Sequence, residues 1–460
     1  MKEITMPAQI WAKTARTPQG WEHAVTIEID AEGRIASVTP NTPRLVHAYD
    51  CVLPAPANAH SHAFQRAMAG LTERRGPDPN DSFWTWRALM YRFMDQLTPD
   101  QIEAITAFVQ MEMLEAGYAT NVEFHYLHHQ TGGVPYDNLA ELSDRVMAAA
   151  AQTGIGLTLL PVLYQYGGCD LRGLGHGQIR FGNTFDRYVR LCELAQTAIA
   201  NGSDDWALGY APHSLRAVAR DDLHQLAAQA TGAPIHMHLA EQIAEVDEVQ
   251  TAWGARPVEW MLQNLDLSNQ WHFIHCTQMQ PHEVQGLARS GATAVLCPIT
   301  ESSLGDGIFD GVQWRAHDGA MAIGSDSNIR ISLSEELRTL DYSQRLRDHS
   351  RAAFATTEQS TATVLLDQIT AGGATAAGRK TGALAPGYWA DMMAIGTDHP
   401  DLDGLTGDAI LDAYVFAGDD RMVRDVWAAG RHMVQDGQHI NRAAIVTAYR
   451  GAVKTLRGTL

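Results

Sequence analysis

Residues 234–324 contain four short apolar runs, each followed by a polar or helix-like stretch. The runs are 234–239 (PIHMHL), 271–275 (WHFIH), 293–297 (TAVLC) and 321–324 (MAIG). Four similar runs precede them at 51–53 (CVL), 119–126 (ATNVEFHY), 156–163 (GLTLLPVL) and 207–211 (ALGYA), and helix-like segments at 99–116, 184–200, 220–230 and 281–290 lie between the runs. Eight strands that alternate with helices predict an α/β protein with a (β/α)8 TIM barrel. The alternative is a doubly wound open sheet, but no GxGxxG follows the first strand.

The two ends of the chain predict a second, smaller unit. Residues 24–38 (AVTIEIDAEGRIASV) have the pattern of two strands joined by a turn at 31–33. Short strands are also predicted at 388–395, 413–416 and 426–434, before a closing helix at 442–456. We therefore predict a small β-sandwich domain, with a C-terminal helix, formed by residues 1–53 and 384–460. The barrel is predicted to occupy residues 54–383.

Composition excludes several classes of protein. The chain has 460 residues, of which 45% are hydrophobic, and its net charge is −19. No apolar run approaches the ~20 residues of a membrane span. The negative charge argues against nucleic-acid and anionic-membrane partners. Residues 1–11 lack the apolar core of a signal peptide, and the five scattered cysteines include no CxxC pair. We therefore expect a cytoplasmic protein without a disulfide framework or a thiolate zinc site.

Polar residues cluster at the predicted carboxyl ends of the strands. His60 and His62 follow the first strand, His238 and His275 end the fifth and sixth, and Asp326 follows the eighth. The carboxyl ends of barrel strands converge on one face, and residues at i and i+2 point the same way. Three imidazoles and one carboxylate are suitable ligands for a catalytic divalent metal, with zinc the first choice. A water molecule bound there would have a pKa near ~7 and act as the nucleophile.

These residues resemble the motifs of a known superfamily. HSH at 60–62, HMHLAE at 236–241, His275 and SD at 325–326 are similar to the amidohydrolase superfamily. Residues 58–73 (NAHSHAFQRAMAGLTE), 82–93 (SFWTWRALMYRF), 123–129 (EFHYLHH) and 211–217 (APHSLRA) resemble its formimidoylglutamate deiminase family, and the likeness runs over essentially the whole chain. The resemblance implies hydrolytic deimination of N-formimidoyl-L-glutamate to N-formyl-L-glutamate and ammonia, in histidine degradation.

Two other functions stay open at this point. One is a different mononuclear deaminase of the same superfamily that acts on a purine or pyrimidine ring. The other is a barrel without catalysis that serves as a binding or scaffold protein. A scaffold would be expected to lack metal ligands, whereas every expected ligand position is filled here.

The resemblance also implies a role for each polar residue. The zinc ligands would be His60, His62, His238 and Asp326, and Asp326 would also take a proton from the bound water. His275 would orient and stabilise the hydroxide. Glu241 would carry a proton to the leaving nitrogen, because ammonia departs only after protonation.

The lysines bear on the number of metal ions. Many members of the superfamily bind two metals bridged by a carboxylated lysine at the end of the fourth strand. Here that strand ends at Ala211-Pro212-His213, and no lysine lies between residues 14 and 379. We therefore predict one Zn²⁺ per subunit, although the same ligands accept other divalent transition metals.

A substrate with two carboxylates needs local positive charge, and the forked guanidinium of arginine suits carboxylates. Arg216 with His213 is the predicted clamp, and the resemblance adds Gln65, Arg87 and Tyr126 as substrate contacts. The alternative for Arg87 is stacking on neighbouring aromatic rings. The predicted partners are thus a small dicarboxylate substrate and, from the habit of the family, a second copy in a homodimer.

Overall fold

A computed structural model describes residues 8–73 and 83–458. Its strands are β1 Gln9–Thr17, β2 Gly20–Ile29, β3 Ile35–Thr39, β4 Ala48–Pro54, β5 Ala57–Ser61, β6 Thr120–His125, β7 Gly156–Leu163, β8 Trp206–Leu208, β9 Ala211–Pro212, β10 Ile235–Leu239, β11 Trp271–His275, β12 Thr293–Leu296, β13 Ala320–Ile323, β14 Met392–Ile395, β15 Val423–Ala428, β16 Arg431–Gln435 and β17 Gln438–His439. Its α-helices are α1 Phe83–Met94, α2 Pro99–Glu115, α3 Glu141–Thr153, α4 Phe185–Ala200, α5 Arg220–Gln229, α6 Ile243–Trp253, α7 Pro257–Asn264, α8 Pro281–Arg289, α9 Pro298–Leu304, α10 Gly311–Ala316, α11 Leu333–Asp348, α12 Thr361–Ala377, α13 Asp408–Phe416 and α14 Arg442–Arg457.

The centre of the chain forms two parallel sheets that alternate with helices. One has the order β5-β6-β7-β8, with β9 paired to β7, and the other has the order β10-β11-β12-β13. Isolated parallel bridges between Tyr210 and Ile235, and between Ser61 and Asp326, connect the two sheets. The predicted α/β fold of the TIM-barrel type is confirmed.

Most of these strands are buried on both faces, which explains the nearly continuous apolar sequences of β7, β12 and β13. In β11, Ile274 packs in one apolar cluster with Val162 and Val295. Phe273 packs in a second cluster with Val284, which lies on helix α8. Side chains of a strand alternate between its two faces, so Ile274 faces the inside of the barrel and Phe273 faces the surrounding helices.

Strands from both ends of the chain form a separate eight-stranded sheet. Its order is β17-β16-β15-β14-β4-β1-β2-β3, with β1 antiparallel to β2 and parallel to β4. Ile10, Ile27, Val52, Met392 and Trp427 are among the side chains of its own buried core. A small β-sandwich domain assembled from both termini accounts for this core, while the boundaries at residues 53 and 384 stay predictions.

Two predictions were wrong: the assignment of the strand at 51–53 to the barrel, and the strand at 413–416. Residues 51–53 lie in β4 of the terminal sheet, and the first barrel strand is β5, so His60 lies inside a strand rather than after it. The apolar run at 51–53 looked like a barrel strand because it is fully buried, whereas β5 (ANAHS) carries polar residues. Residues 413–416 end helix α13, because short apolar runs do not distinguish strands from buried helices.

Helix α14 agrees with the predicted closing helix and packs on α2 through a stacked pair of rings, Phe108 and Tyr449, at 3.8 Å. Among the helices in residues 8–73 and 83–458, none is long and apolar enough to cross a membrane.

Candidate active site

Four predicted metal ligands lie together at the carboxyl ends of the barrel strands. His60 Nε2 is 3.2 Å from His62 Nε2, and Asp326 Oδ1 is 3.4 Å and 3.3 Å from these two nitrogens. His238 completes the group, in which one ligand atom of each residue lies within 4.8 Å of the others. All four residues are buried. Residues distant in sequence therefore form one compact set of nitrogen and oxygen donors.

The protonation of these histidines suits a cation. Burial lowers the pKa of His60 to about 3 and also lowers the pKa of His62 and His238, so all three imidazoles are neutral. His62 Nδ1 donates to the Phe124 carbonyl at 3.0 Å, and His238 Nδ1 donates to the His213 carbonyl at 3.2 Å. These bonds place the lone pairs of both residues on Nε2, inside the group. The donor set therefore fits a divalent transition metal.

A network of buried amides and hydroxyls holds the ligand-bearing strand ends together. Asn58 donates to Ser325 Oγ at 2.7 Å and accepts from Ser325 N at 3.1 Å, which links β5 to the end of β13. Asn328 donates to Ser61 Oγ at 3.1 Å. A Cβ atom on Gly324 would lie 2.7 Å from the backbone nitrogen of His60, so only glycine permits this approach.

The backbone at Asp326 contributes to the same arrangement. Asp326 N donates to the His60 carbonyl and His62 N donates to the Asp326 carbonyl, both at 2.9 Å. Asp326 adopts a φ of 47° and Asn328 a φ of 55°, in the left-handed region that costs energy for residues other than glycine. Asn58 and Asn328 were not predicted as functional residues; the available signal in the sequence was a polar side chain next to a ligand motif.

The predicted acid and base residues adjoin the ligand group. His275 Nε2 lies 3.8 Å from Asp326 Oδ2 and 3.9 Å from Glu241 Oε1. On its other side, His275 Nδ1 lies 3.2 Å from Glu301 Oε1. Burial opposes the charged imidazole, but Glu241, Glu301 and Asp326 outweigh it and raise the pKa of His275 to about 10. Glu301 was not predicted.

Glu241 has the environment of a proton carrier. It is 5% exposed, and burial raises its pKa above the ordinary value of a glutamic acid. Its backbone nitrogen and that of Ala240 donate to the buried carboxylate of Glu245 at 3.0 Å and 3.1 Å. Glu245 therefore supports the turn that carries Glu241, and it was also missed from the sequence.

All five predicted substrate contacts line one cavity, which is also lined by His62, His238 and Asp326 of the ligand group. The five contacts are Gln65, Arg87, Tyr126, His213 and Arg216. Gln65 donates to the hydroxyl of Tyr126 at 2.8 Å, and the His213 ring lies 4.9 Å from the ring of His238. The cavity therefore combines the ligand set with two guanidinium groups.

The two arginines of the cavity have different supports. The Arg216 side chain is 10% exposed, and its Nη2 is 4.0 Å from Glu245 Oε2, so the pair is loose. Arg87 donates to the hydroxyls of Tyr91 and Tyr164, the latter at 3.1 Å. The Arg87 guanidinium also lies 5.3 Å from the centre of the Tyr91 ring. Arg87 therefore contacts an aromatic ring and lines the cavity at the same time. The aromatic residues next to Arg87 in the sequence are Trp84 and Trp86, and the side chain of Trp84 lies outside the described residues.

His236 lies apart from the ligand group, although it occupies the same strand as His238. Its Nε2 bonds the Ala376 carbonyl at 2.8 Å, and its ring lies 4.6 Å from the ring of His272. The second histidine of the HMH motif is thus the one that meets His60 and His62.

Comparisons with known proteins agree with this geometry. A family model described as the amidohydrolase family matches residues 51–433, and one described as the N-terminal domain of formimidoylglutamate deiminase HutF matches residues 8–50. The chain is 44% identical to formimidoylglutamate deiminase of Pseudomonas aeruginosa, over 96% of this chain and 97% of the relative. It is 25% identical to 5-methylthioadenosine/S-adenosylhomocysteine deaminase of Halobacterium salinarum, over 91% of this chain and 88% of the relative.

Solved structures lead to the same family. The crystal structure of an amidohydrolase from Brucella melitensis superposes with a TM-score of 0.94 at 41% identity, over 98% of this chain and 100% of that chain. An adenosine deaminase from Xanthomonas campestris with bound zinc superposes with a TM-score of 0.81 at 20% identity, over 98% of both chains, and shares the fold. With a matching family model over most of its length and these relatives, the chain belongs to the amidohydrolase family.

Proposed function

We propose that this protein hydrolyses N-formimidoyl-L-glutamate to N-formyl-L-glutamate and ammonia, as a step of histidine degradation. The observation that carries the proposal is the single cavity that joins Arg87 and Arg216 to the neutral histidine cluster and to Glu241. Two guanidinium groups suit a substrate with two carboxylates, and the cluster suits hydrolysis of its carbon–nitrogen bond. The likeness to the Pseudomonas aeruginosa deiminase over nearly the whole chain supports the same substrate.

The proposal includes one Zn²⁺ per chain, held by His60, His62, His238 and Asp326. A zinc ion with such ligands acts as a Lewis acid and lowers the pKa of water toward ~7. The neutral state and fixed Nε2 lone pairs of the histidines support this assignment. A lysine bridge for a second ion has no candidate in the barrel strands, because no lysine lies between residues 14 and 379.

The protein side chains provide orientation and proton transfer in the proposed reaction. The attacking water adds its oxygen to the formimidoyl carbon while Asp326 Oδ2 takes its proton. His275 Nε2 lies 3.8 Å from Asp326 Oδ2. It carries a proton and stabilises the negative charge on the attacking group. Glu241 donates a proton to the imino nitrogen, which becomes an amino group. The proton held by Asp326 then passes to this nitrogen, the carbon–nitrogen bond breaks and ammonia leaves, while the remaining hydroxyl proton returns to Glu241 as the formyl C=O bond forms. The raised pKa of Glu241 suits this role, because the carboxyl must hold a proton before giving it away.

Substrate recognition follows from the same cavity. Arg216, His213, Arg87, Gln65 and Tyr126 all line this cavity, so two guanidinium groups are available to the two carboxylates of the substrate. Arg216 makes only a loose contact with Glu245, so its guanidinium can form a bidentate pair with a carboxylate. A cytoplasmic location fits a catabolic enzyme whose five cysteines are all free and buried.

Ammonia release by the purified, zinc-loaded protein tests the proposal. N-formimidoyl-L-glutamate should be turned over, whereas guanine, adenosine and cytosine should give no ammonia above background. These three compounds represent the rival function, a ring deaminase of the same family. Turnover of a ring and none of N-formimidoyl-L-glutamate would overturn the proposal, and absence of bound metal would favour a protein without catalysis.

A further inference from the structure

The imidazole of His275 reaches the site through an unusual backbone turn. His275 has a φ of 72° and the next residue, Cys276, a φ of 54°, both in the left-handed region. In β11, Trp271 and Phe273 face the outer layer, and strict alternation would send His275 to that layer as well. The turn instead directs its ring to the ligand group, 5.7 Å from the ring of His238. Because this backbone conformation is strained, something in the surroundings must hold the side chain in place.

Glu301 is the group on the far side of that ring. It lies on helix α9, directly after the seventh barrel strand, and is 5% exposed. Its Oε1 accepts from His275 Nδ1 at 3.2 Å and from the backbone nitrogen of Cys297 at 2.8 Å. The carboxylate is therefore fixed to the backbone of its own loop. Within residues 8–73 and 83–458, no hydrogen bond or ion pair joins it to His60, His62, His238 or Asp326. A carboxylate so fixed holds an imidazole in one tautomer and one orientation.

We propose that Glu301 is a positioning residue for the reaction, which orients His275 so that its Nε2 faces Asp326 and Glu241. This inference rests on the proposed function of the site. With Nδ1–H donated to Glu301, the opposite nitrogen points at Asp326 Oδ2 and Glu241 Oε1, 3.8 Å and 3.9 Å away. Without Glu301, the ring is free to rotate away from the reacting atoms and Nδ1 loses its acceptor.

The chain offers a matched control in Glu336. This glutamate is fully buried on α11 and accepts from the backbone nitrogen of Ile299 at 2.9 Å, so it anchors the same helix α9. In the described part of the chain, no hydrogen bond or ion pair joins it to His275. E336Q therefore reports what loss of a buried carboxylate beside α9 does to the fold, and E301A and E301Q report the effect on His275.

The experiment compares wild type, E301A, E301Q and E336Q for zinc content, melting temperature, kcat and KM with N-formimidoyl-L-glutamate. Loss of a group that orients a metal-ligating histidine typically costs about 10–100-fold in metal affinity or activity, and we take the same scale for the neighbouring His275. We expect kcat of E301A to fall by about 10–100-fold, with zinc content unchanged and KM within about threefold, because no substrate contact is removed. E301Q should recover part of kcat, since the amide oxygen can still accept both bonds. E336Q should keep the wild-type kcat.

A proton spectrum gives a second readout that needs no substrate. The His275 Nδ1–H proton should give a downfield resonance in wild type and E336Q that is absent from E301A and H275N. If E301A fails to fold, E301L decides, because leucine has a similar volume but cannot accept the two bonds. A lowered kcat of E301L at full zinc content supports the role, and a wild-type kcat overturns it. An active wild type beside a fully active E301A also overturns the role of Glu301. If wild type and E336Q both release no ammonia, the proposed function is the part that fails, and the resonance alone decides the positioning role.

Discussion

Replacement of Arg216 by methionine tests substrate recognition most directly. Methionine keeps much of the volume of the side chain but removes the guanidinium, which is 10% exposed in the cavity. The neighbouring carboxylate of Glu245 already accepts two backbone N–H groups, from Ala240 and Glu241, so it keeps partners in the variant. The change should therefore act mainly on the carboxylate of the substrate.

The size of the effect follows from this burial. Removing one partner of a buried, hydrogen-bonded charge pair costs about 2–5 kcal/mol, much of it because the other charge stays desolvated. At 1.36 kcal/mol for each factor of ten, kcat/KM should fall by about 30-fold to about 5000-fold. The contact between Arg216 and Glu245 is long, at 4.0 Å, so its loss in R216M should change the result little.

The assay measures ammonia release at several concentrations of N-formimidoyl-L-glutamate and of two analogues, each lacking one carboxylate. R216M should lose its preference for the full substrate over the analogue that lacks the contacted carboxylate, as a double-mutant cycle requires. R256M is the matched control. Arg256 is also mostly buried, its Nε lies 3.0 Å from Glu283 Oε2, and it is not among the residues that line the cavity. A kcat/KM of R216M within threefold of R256M would refute the clamp.

Three further outcomes are expected. E241Q should lower kcat by about 10²–10⁴-fold, the usual contribution of a general acid or base, with KM little changed. In steady-state kinetics, a raised KM with an unchanged kcat would instead indicate a role in substrate binding. Removal of the metal by a chelator should abolish ammonia release and lower the melting temperature, and Zn²⁺ should restore both; activity that survives at zero metal content would contradict the site. Arg379 and Arg431 outweigh burial and lower the pKa of Asp205, so the stability from this pairing is present above about pH 4 and is lost as the pH falls through the folded pKa. Urea unfolding should therefore show that D205N is less stable than wild type at pH 7, by about 3–5 kcal/mol if the buried pairs are lost outright. This difference in the free energy of unfolding should shrink below pH 4. D170N, at an exposed aspartate, is the control, and a difference independent of pH would contradict the pairing.

Much of the architecture could be predicted from periodicity and from strand ends. Residues 156–163 and 271–275 were predicted as strands with the bounds that the structure has, because buried parallel strands are apolar on both faces. The same property caused the error at 51–53, since a buried strand of the terminal sheet has the same apolar pattern as a barrel strand. The strand predicted at 413–416 was wrong for a related reason. Four apolar residues are too few to distinguish the period of 2 of a strand from the period of 3.6 of a helix.

The sequence by itself determined the residue types for the chemistry: paired histidines, a lone carboxylate after the last barrel strand, and arginine in place of lysine between residues 14 and 379. Only the tertiary structure decided which polar groups hold them. Glu301 lies 26 residues from His275 and Asn58 lies 267 residues from Ser325, so no local pattern connects either pair. The left-handed turn at His275 is likewise invisible in a strand pattern. Orientation comes from contacts between different strands and helices, and those contacts exist only once the chain has folded.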